Sequence, residues 1–184
     1  MHLRIHGLEV YARARTEPQT WHHITTYPIL ALSGKPGPKL REGDHQVPEG
    51  IYRAAALNPN SRFHLSIRLN YPNEFDQRMA HIDGRNKLGS DIMIHGNAVS
   101  VGCLAIGNLA AEDLFVLTAH VSKEHVRILI SPTDFRQQNT PSIAKLISRS
   151  KQPHWLGELY TQLHSQLLQF PLPAHQLTKT VSMN

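Results

Sequence analysis

The chain of 184 residues is long enough for one domain with a real core and a small addition, and too short for two full-sized domains. Its net charge of +5 favours weak attraction to polyanions, but the lysines and arginines are scattered and aromatics reach only 7%, which argues against the stacked basic surface of a nucleic-acid binder. No apolar window of about 18 residues is present, so the sequence reads as a soluble globular chain with no transmembrane segment.

Leu3 and Ile5, the His6-Gly7 step, and then Leu8, Val10 and Ala12 alternate as a tight hairpin would. Residues 21–32 read as a further strand, followed over 33–50 by a loop rich in Gly, Pro and charge, of a length that points to function or mobility. Strands are expected at 51–56 and 63–69; in the second, Phe63, Leu65, Ile67 and Leu69 alternate with polar neighbours. Short apolar strands at 91–94 and 103–106 flank His95 and a Gly-rich connection. Asn108 is the expected N-cap of a helix over 109–121, with Glu112 and Asp113 in its early turns. One more strand over 125–130 stops at Ser131-Pro132.

Beyond Arg136 the pattern becomes helical. One helix is expected from Thr140-Pro141 to about Arg149 and another over 154–169, where Leu156, Leu159, Leu163, Leu167 and Leu168 share a face that reads as core packing or a cover over the domain. The expected organisation is a domain over 1–136, a helical appendage over 137–170 and a poorly ordered tail over 171–184.

Cys103 is the only cysteine, so no internal disulfide can form. A lone cysteine is by default a buried structural thiol. The alternative is a nucleophile, which needs a partner that accepts its proton, most often a histidine. His95 ends one short strand while Cys103 opens the next, so the loop over 96–102, with Gly96, Asn97, Ser100 and Gly102, can bring the two together. Gly102 before the thiol is expected to leave backbone N–H groups free to face an oxyanion. A zinc site is disfavoured, because one Cys among scattered His supplies no tight ligand spacing. The N-terminal MHLRIHGLEVYARAR lacks the apolar core of a signal peptide, which leaves a cytoplasmic chain or a start beyond a removed or missing signal.

The segment IHGNAVSVGCLAIGN resembles the signature of the L,D-transpeptidase catalytic-domain (YkuD) family, in which a His-Gly at a strand end precedes a Ser-x-Gly-Cys motif. Upstream, Val47-Pro48-Glu49-Gly50-Ile51-Tyr52 is similar to the family's Thr-Pro-x-Gly-x-Tyr/Phe element. The resemblance runs from about Leu3 to Phe135. It implies that Cys103 is the acylated nucleophile, His95 its general base, Gly96 the residue whose carbonyl orients the imidazole, and Ser100 and Gly102 the motif serine and glycine. It further implies action on peptidoglycan stem peptides outside the cytoplasmic membrane, with neither metal nor organic cofactor.

Three departures stand out: Val101 where most members have His, Ala105 where they have Arg, and a short loop over 96–99. Together with the P-K-x-R-E-G-D stretch over 38–44 and N-Y-P-N-E-F-D over 70–76, they are similar to a branch that includes an amidase releasing an envelope lipoprotein from meso-diaminopimelate. Lys39, Arg41 and Arg62 are candidate carboxylate binders, and Tyr71 is a candidate either for the cleft or for the core. The expected fold is α+β and mainly β, a curved mixed sheet or sandwich with a packed helix and C-terminal helices. The expected activity is cysteine-dependent acyl transfer, leaning to hydrolysis; the alternatives are cross-link formation by a true transpeptidase, a non-catalytic peptidoglycan-binding domain, or a cytoplasmic acyltransferase with another thioester donor.

Overall fold

The computed structural model describes residues 7–137, 140–148 and 152–174. Within them the chain runs β1 (Gly7–Ala12), β2 (His22–Pro28), β3 (Ala31–Leu32), β4 (Gly50–Ser61), β5 (His64–Leu69), α1 (Glu74–Ile82), β6 (Met93–His95), β7 (Leu104–Ala105), α2 (Asn108–Val121), β8 (Arg127–Ile130), α3 (Ile143–Ile147) and α4 (Leu156–Leu167). β1 and β2 pair with each other, and the remaining strands form a curled sheet in the order β3-β7-β6-β5-β4-β8. All neighbours in that sheet are antiparallel except β6 and β7, which are parallel. The result is the mainly β, α+β architecture that the sequence pattern predicts.

Successive residues of a strand face opposite sides of a sheet, and paired residues share a side. On one side of β5, β6 and β7, Ile67 pairs with Ile94 and Ile94 with Leu104. Ile94, Leu104 and Leu69 join Tyr52, Tyr71, Ile92, Ile106 and, from α2, Ala110 and Ala111 in the main core. Each large aliphatic side chain buried in this way stabilises the fold by about 1.5–3 kcal/mol. A second core gathers Trp155, Leu156, Leu159, Tyr160 and Leu163 around Met79 of α1 and Phe135, so Leu156, Leu159, Leu163 and Leu167 pack inward as their spacing predicts, whereas Leu168, just past the end of α4, is exposed.

Several elements differ from expectation, each for a physical reason. The N-terminal hairpin falls partly on residues 1–6, outside the described residues; Gly7 opens β1, which pairs with β2. The strand expected over 21–32 is two, because Pro28 ends β2 and the chain crosses to the main sheet, where the Leu30 N–H donates to the Ala105 carbonyl at 2.8 Å. β4 runs on to Ser61: β8 pairs only with its first residues, Gly50 to Arg53, so the missing N–H of Pro59 lies along an unpaired edge.

Helix α1 escaped the periodicity reading because it is short. Its local signal is a capping box, in which the Asn73 side chain accepts from the Asp76 N–H and the Asp76 carboxylate accepts from the Asn73 N–H, both at 2.9 Å. Asn108 does not cap α2; it is the first helical residue, and Gly107, with φ 81°, precedes it. Helix α3 starts later than expected, behind Ser142, whose hydroxyl accepts from the Lys145 N–H, and the Arg149 end expected for it lies outside the described residues. Helix α4 is trimmed at both ends of its expected range.

Candidate active site

His95 is the last residue of β6 and is 1% exposed. Its Nδ1 lies 2.6 Å from the Gly96 carbonyl oxygen. A carbonyl can only accept, so Nδ1 carries a hydrogen, and Nε2 is the ring nitrogen left to accept a proton. Among the described residues no group holds Nε2. The ring is further fixed by Phe63, stacked on it with centroids 4.5 Å apart and planes inclined by 29°. Phe63 thus leaves the apolar row of β5 in which alternation had put it. His64, at φ 76°, breaks the alternation and turns Phe63 to the opposite side.

No residue larger than glycine fits at position 96, where a Cβ would meet Asn108 Oδ1 and the Phe63 carbonyl oxygen, each at 2.7 Å. Asn108 Oδ1 also accepts from the Asn97 N–H at 2.8 Å. The residue read as a helix cap is therefore the fastening point of the loop behind His95.

Cys103 immediately precedes β7. The register pairs Ile94 with Leu104 and His95 with Ala105, which sets Cys103 level with Met93. Met93, His95, Cys103 and Ala105 share the face opposite the apolar core. His95 and Cys103 are diagonal neighbours, roughly 8 Å apart at Cα from strand spacing and rise. The turn that presents the thiol is closed by Ser100, whose hydroxyl donates to the Cys103 carbonyl at 2.5 Å and accepts from the Cys103 N–H at 3.0 Å. Gly102 sits at φ 86°. Its N–H donates to Ser33 Oγ at 2.6 Å, and that hydroxyl donates onward to the His45 carbonyl at 2.7 Å. The expectation that these two N–H groups stand free is corrected: two serine hydroxyls occupy them, Ser100 from within the turn and Ser33 from the end of β3 beside β7, because backbone donors drawn out of water take partners.

The thiol donates to the Asp91 carbonyl at 3.6 Å rather than to the imidazole. Burial pushes the thiol up from its ordinary value; the charge of Asp91 adds to that, while the Met93 N–H and the Lys39 ammonium pull against it. The resting cysteine is therefore a thiol, not a thiolate.

The remaining candidates are scattered. Lys39 is buried and bound to Asp44 at 2.5 Å and to the Arg41 carbonyl at 2.9 Å. Asp44 also accepts from the backbone N–H groups of Leu40, Arg41 and Gln46. Burial works against the charge of Asp44, yet the Lys39 ammonium and these donors hold it below its ordinary value. Lys39 thus organises the loop over 39–46 while its charge reaches the thiol. Arg41 is exposed on that loop, and Arg62 is exposed at the β4–β5 turn beside Phe63. Tyr71 lies in the main core, where its hydroxyl donates to the Leu88 carbonyl at 3.0 Å. Ser33, Phe63, Asp91 and Asn108 were not legible as site residues, since each acts through a contact distant in sequence or through its backbone. A large cavity, about 2940 Å³, opens on the other side of the sheet, against Ile67, Ile94, Leu104 and Val10, and neither Cys103 nor His95 lines it.

No family model matches the chain. A curated protein described as a putative L,D-transpeptidase, YafK, in two Escherichia coli strains is 34% identical over 110 residues, which is 59% of this chain and 41% of that protein. This similarity supports the L,D-transpeptidase-like family. The chain spans about two fifths of the length of these curated relatives. Among solved structures, a lysine-to-alanine mutant of the helical cell shape determining protein Pgp2 from Campylobacter jejuni aligns with a TM-score of 0.55 at 22% identity, over 84% of this chain and 50% of that one. The unmutated Pgp2 aligns with a TM-score of 0.53 at 19% identity, over 90% and 66%. These likenesses show that the chain shares the fold of Pgp2.

Proposed function

We propose that this chain is a cysteine-dependent acyl-transfer enzyme of the cell envelope, acting on peptidoglycan stem peptides at meso-diaminopimelate, and that it hydrolyses a cross-link or releases an attached lipoprotein. The observation that carries the reading is the His95 Nδ1 to Gly96 carbonyl bond, which leaves Nε2 to take a proton on the face that bears Cys103. The domain over 1–136 supplies this site, and the helices over 137–170 brace it.

The reaction begins when the thiol turns from the Asp91 carbonyl toward Nε2 and gives up its proton. The sulfur attacks the carbonyl at the L-centre of diaminopimelate, forming a C–S bond and a tetrahedral oxyanion. The Gly102 and Cys103 N–H groups receive that oxyanion once the Ser33 and Ser100 hydroxyls swing away. Collapse breaks the C–N bond, and the amine departs with the proton held by His95. Water, deprotonated by the same nitrogen, then cleaves the thioester to a carboxylate and restores the thiol. An amine acceptor at that step gives a transpeptidase instead.

The resting bond of the thiol to Asp91 favours a second reading, a non-catalytic peptidoglycan-binding domain. Mass spectrometry of muropeptides, some carrying a lipoprotein-derived lysine adduct, incubated with the protein and its Cys103→Ala variant separates the readings. Adduct release or trimming by the wild type alone is the expected result. Joined stem peptides would make the chain a transpeptidase, and no Cys103-dependent product from folded protein would leave the binding domain.

A further inference from the structure

The face that carries His95 and Cys103 extends one strand further. Arg68 of β5 pairs with Met93 of β6, and Met93 stands level with Cys103. Arg68 therefore projects from the same side of the sheet as the thiol, two strand spacings away, about 10 Å at Cα. Its partner is the Asp91 carboxylate at 3.5 Å, with side chains 51% and 61% exposed. A pair so open and so long contributes little and exchanges readily. Asp91 is also the residue whose backbone carbonyl accepts the thiol's hydrogen bond, so one residue holds both the guanidinium and the nucleophile at rest. The cations expected from sequence are placed otherwise: Lys39 is bound by Asp44, Arg41 lies out on the loop, and Arg62 sits at the hairpin tip. Ala105, on the same face, brings no charge and is fully buried.

We infer that Arg68 binds a second carboxylate on the acyl donor, several ångströms from the carbonyl that Cys103 attacks, with Asp91 filling that place at rest. The inference rests on the proposed action at diaminopimelate, whose side chain ends in such a carboxylate. A planar guanidinium suits this ligand because it can grip both oxygens. The donor is thereby selected by an anionic side-chain end: diaminopimelate with a free distal carboxylate is accepted, and the amidated residue, or lysine at the same position, is rejected.

The test measures binding and turnover separately. Titration calorimetry with muropeptides carrying free or amidated diaminopimelate is run on the folded Cys103→Ala protein, with and without Arg68→Gln, and with Arg68→Lys as the charge-retaining control. The expected result is at least tenfold tighter binding of the free acid, a ratio that collapses toward one in Arg68→Gln and is partly kept in Arg68→Lys. Equal binding of the two ligands by the parent protein, or a preference that survives Arg68→Gln, overturns the inference. Turnover by the wild type is scored in parallel, so loss of the catalytic reading shows as absent product while carboxylate recognition is decided by the calorimetry.

Discussion

The two faces of β5, β6 and β7 are made from alternate residues of the same short strands, yet they hold opposite chemistry. One carries Ile67, Ile94 and Leu104 against α2 and the main core; the other carries Ser66, Arg68, Met93, His95 and Cys103. The first is kept by loss of apolar surface from water, which tolerates imprecise geometry. The second is kept by directed bonds: Nδ1 to a carbonyl, and two hydroxyls on two N–H groups. Parity along a strand thus separates stability from chemistry within three residues of sequence.

The sharpest way to break this separation is His95→Ala. Removing the base should cut Cys103-dependent turnover by roughly 10²- to 10⁴-fold, and the pH profile of thiol alkylation should revert to that of an unassisted half-buried cysteine. Alkylation rates unchanged by the substitution would mean that the two side chains never meet. On the opposite face, one residue earlier, Ile94→Ala should cost about 2–5 kcal/mol in urea unfolding, while turnover per folded molecule stays near wild type. A fall in specific activity as large as that of His95→Ala would show that the faces are not separable.

A gentler probe lies at the edge of the main core. Burial raises the Asp76 carboxyl to about 6, against the pull of the Asn73 N–H and the Tyr52 hydroxyl. A raised carboxyl pKa favours the fold while protonated, so this contribution is whole below about pH 4 and is lost as pH rises through 6, with an upper size of about 3 kcal/mol. Unfolding midpoints of Asp76→Asn should fall less between pH 4 and pH 7 than those of the wild type; parallel curves would refute the assignment. Glu49 is raised by burial too, with the same sign, and remains in both proteins. The smallest effect is expected at Ser66, which is 2% exposed and whose hydroxyl has no partner among the described residues. Ser66→Ala should be neutral or stabilising by up to about 1 kcal/mol, and a clear loss of stability would reveal a bond made through bound water.

Much of this arrangement was legible in the sequence where a local pattern carries it. The alternation through Leu65, Ile67 and Leu69, the His95-Gly96 strand end and the leucine spacing of α4 are all written in neighbouring residues. What escaped is set by residues far apart. Phe63 reads as one more apolar strand position until the left-handed His64 turns it onto His95. Asn108 reads as a cap until its side-chain oxygen is seen accepting from the Asn97 N–H. Ser33 and the thiol are separated by most of the sheet in sequence, and only the β3–β7 pairing makes the serine a neighbour of Gly102. Arg68 is one of many scattered basic residues until register gives it a face.

The parallel join between β6 and β7 has one more consequence. Neighbouring parallel strands ordinarily need a return path of a dozen or more residues, whereas here residues 96–103 suffice because the strands are only three and two residues long. Such a leg is tied down along its length, at Asn97 by Asn108, at Gly102 by Ser33 and at Cys103 by Ser100. Lengthening a loop costs little, about 0.6 kcal/mol for each doubling, but a deletion would drag Cys103 out of step with Met93 and move its sulfur to the wrong side of the sheet. The count of residues between His95 and Cys103, more than the identity of Ala98, Val99 or Val101, is what aims the nucleophile.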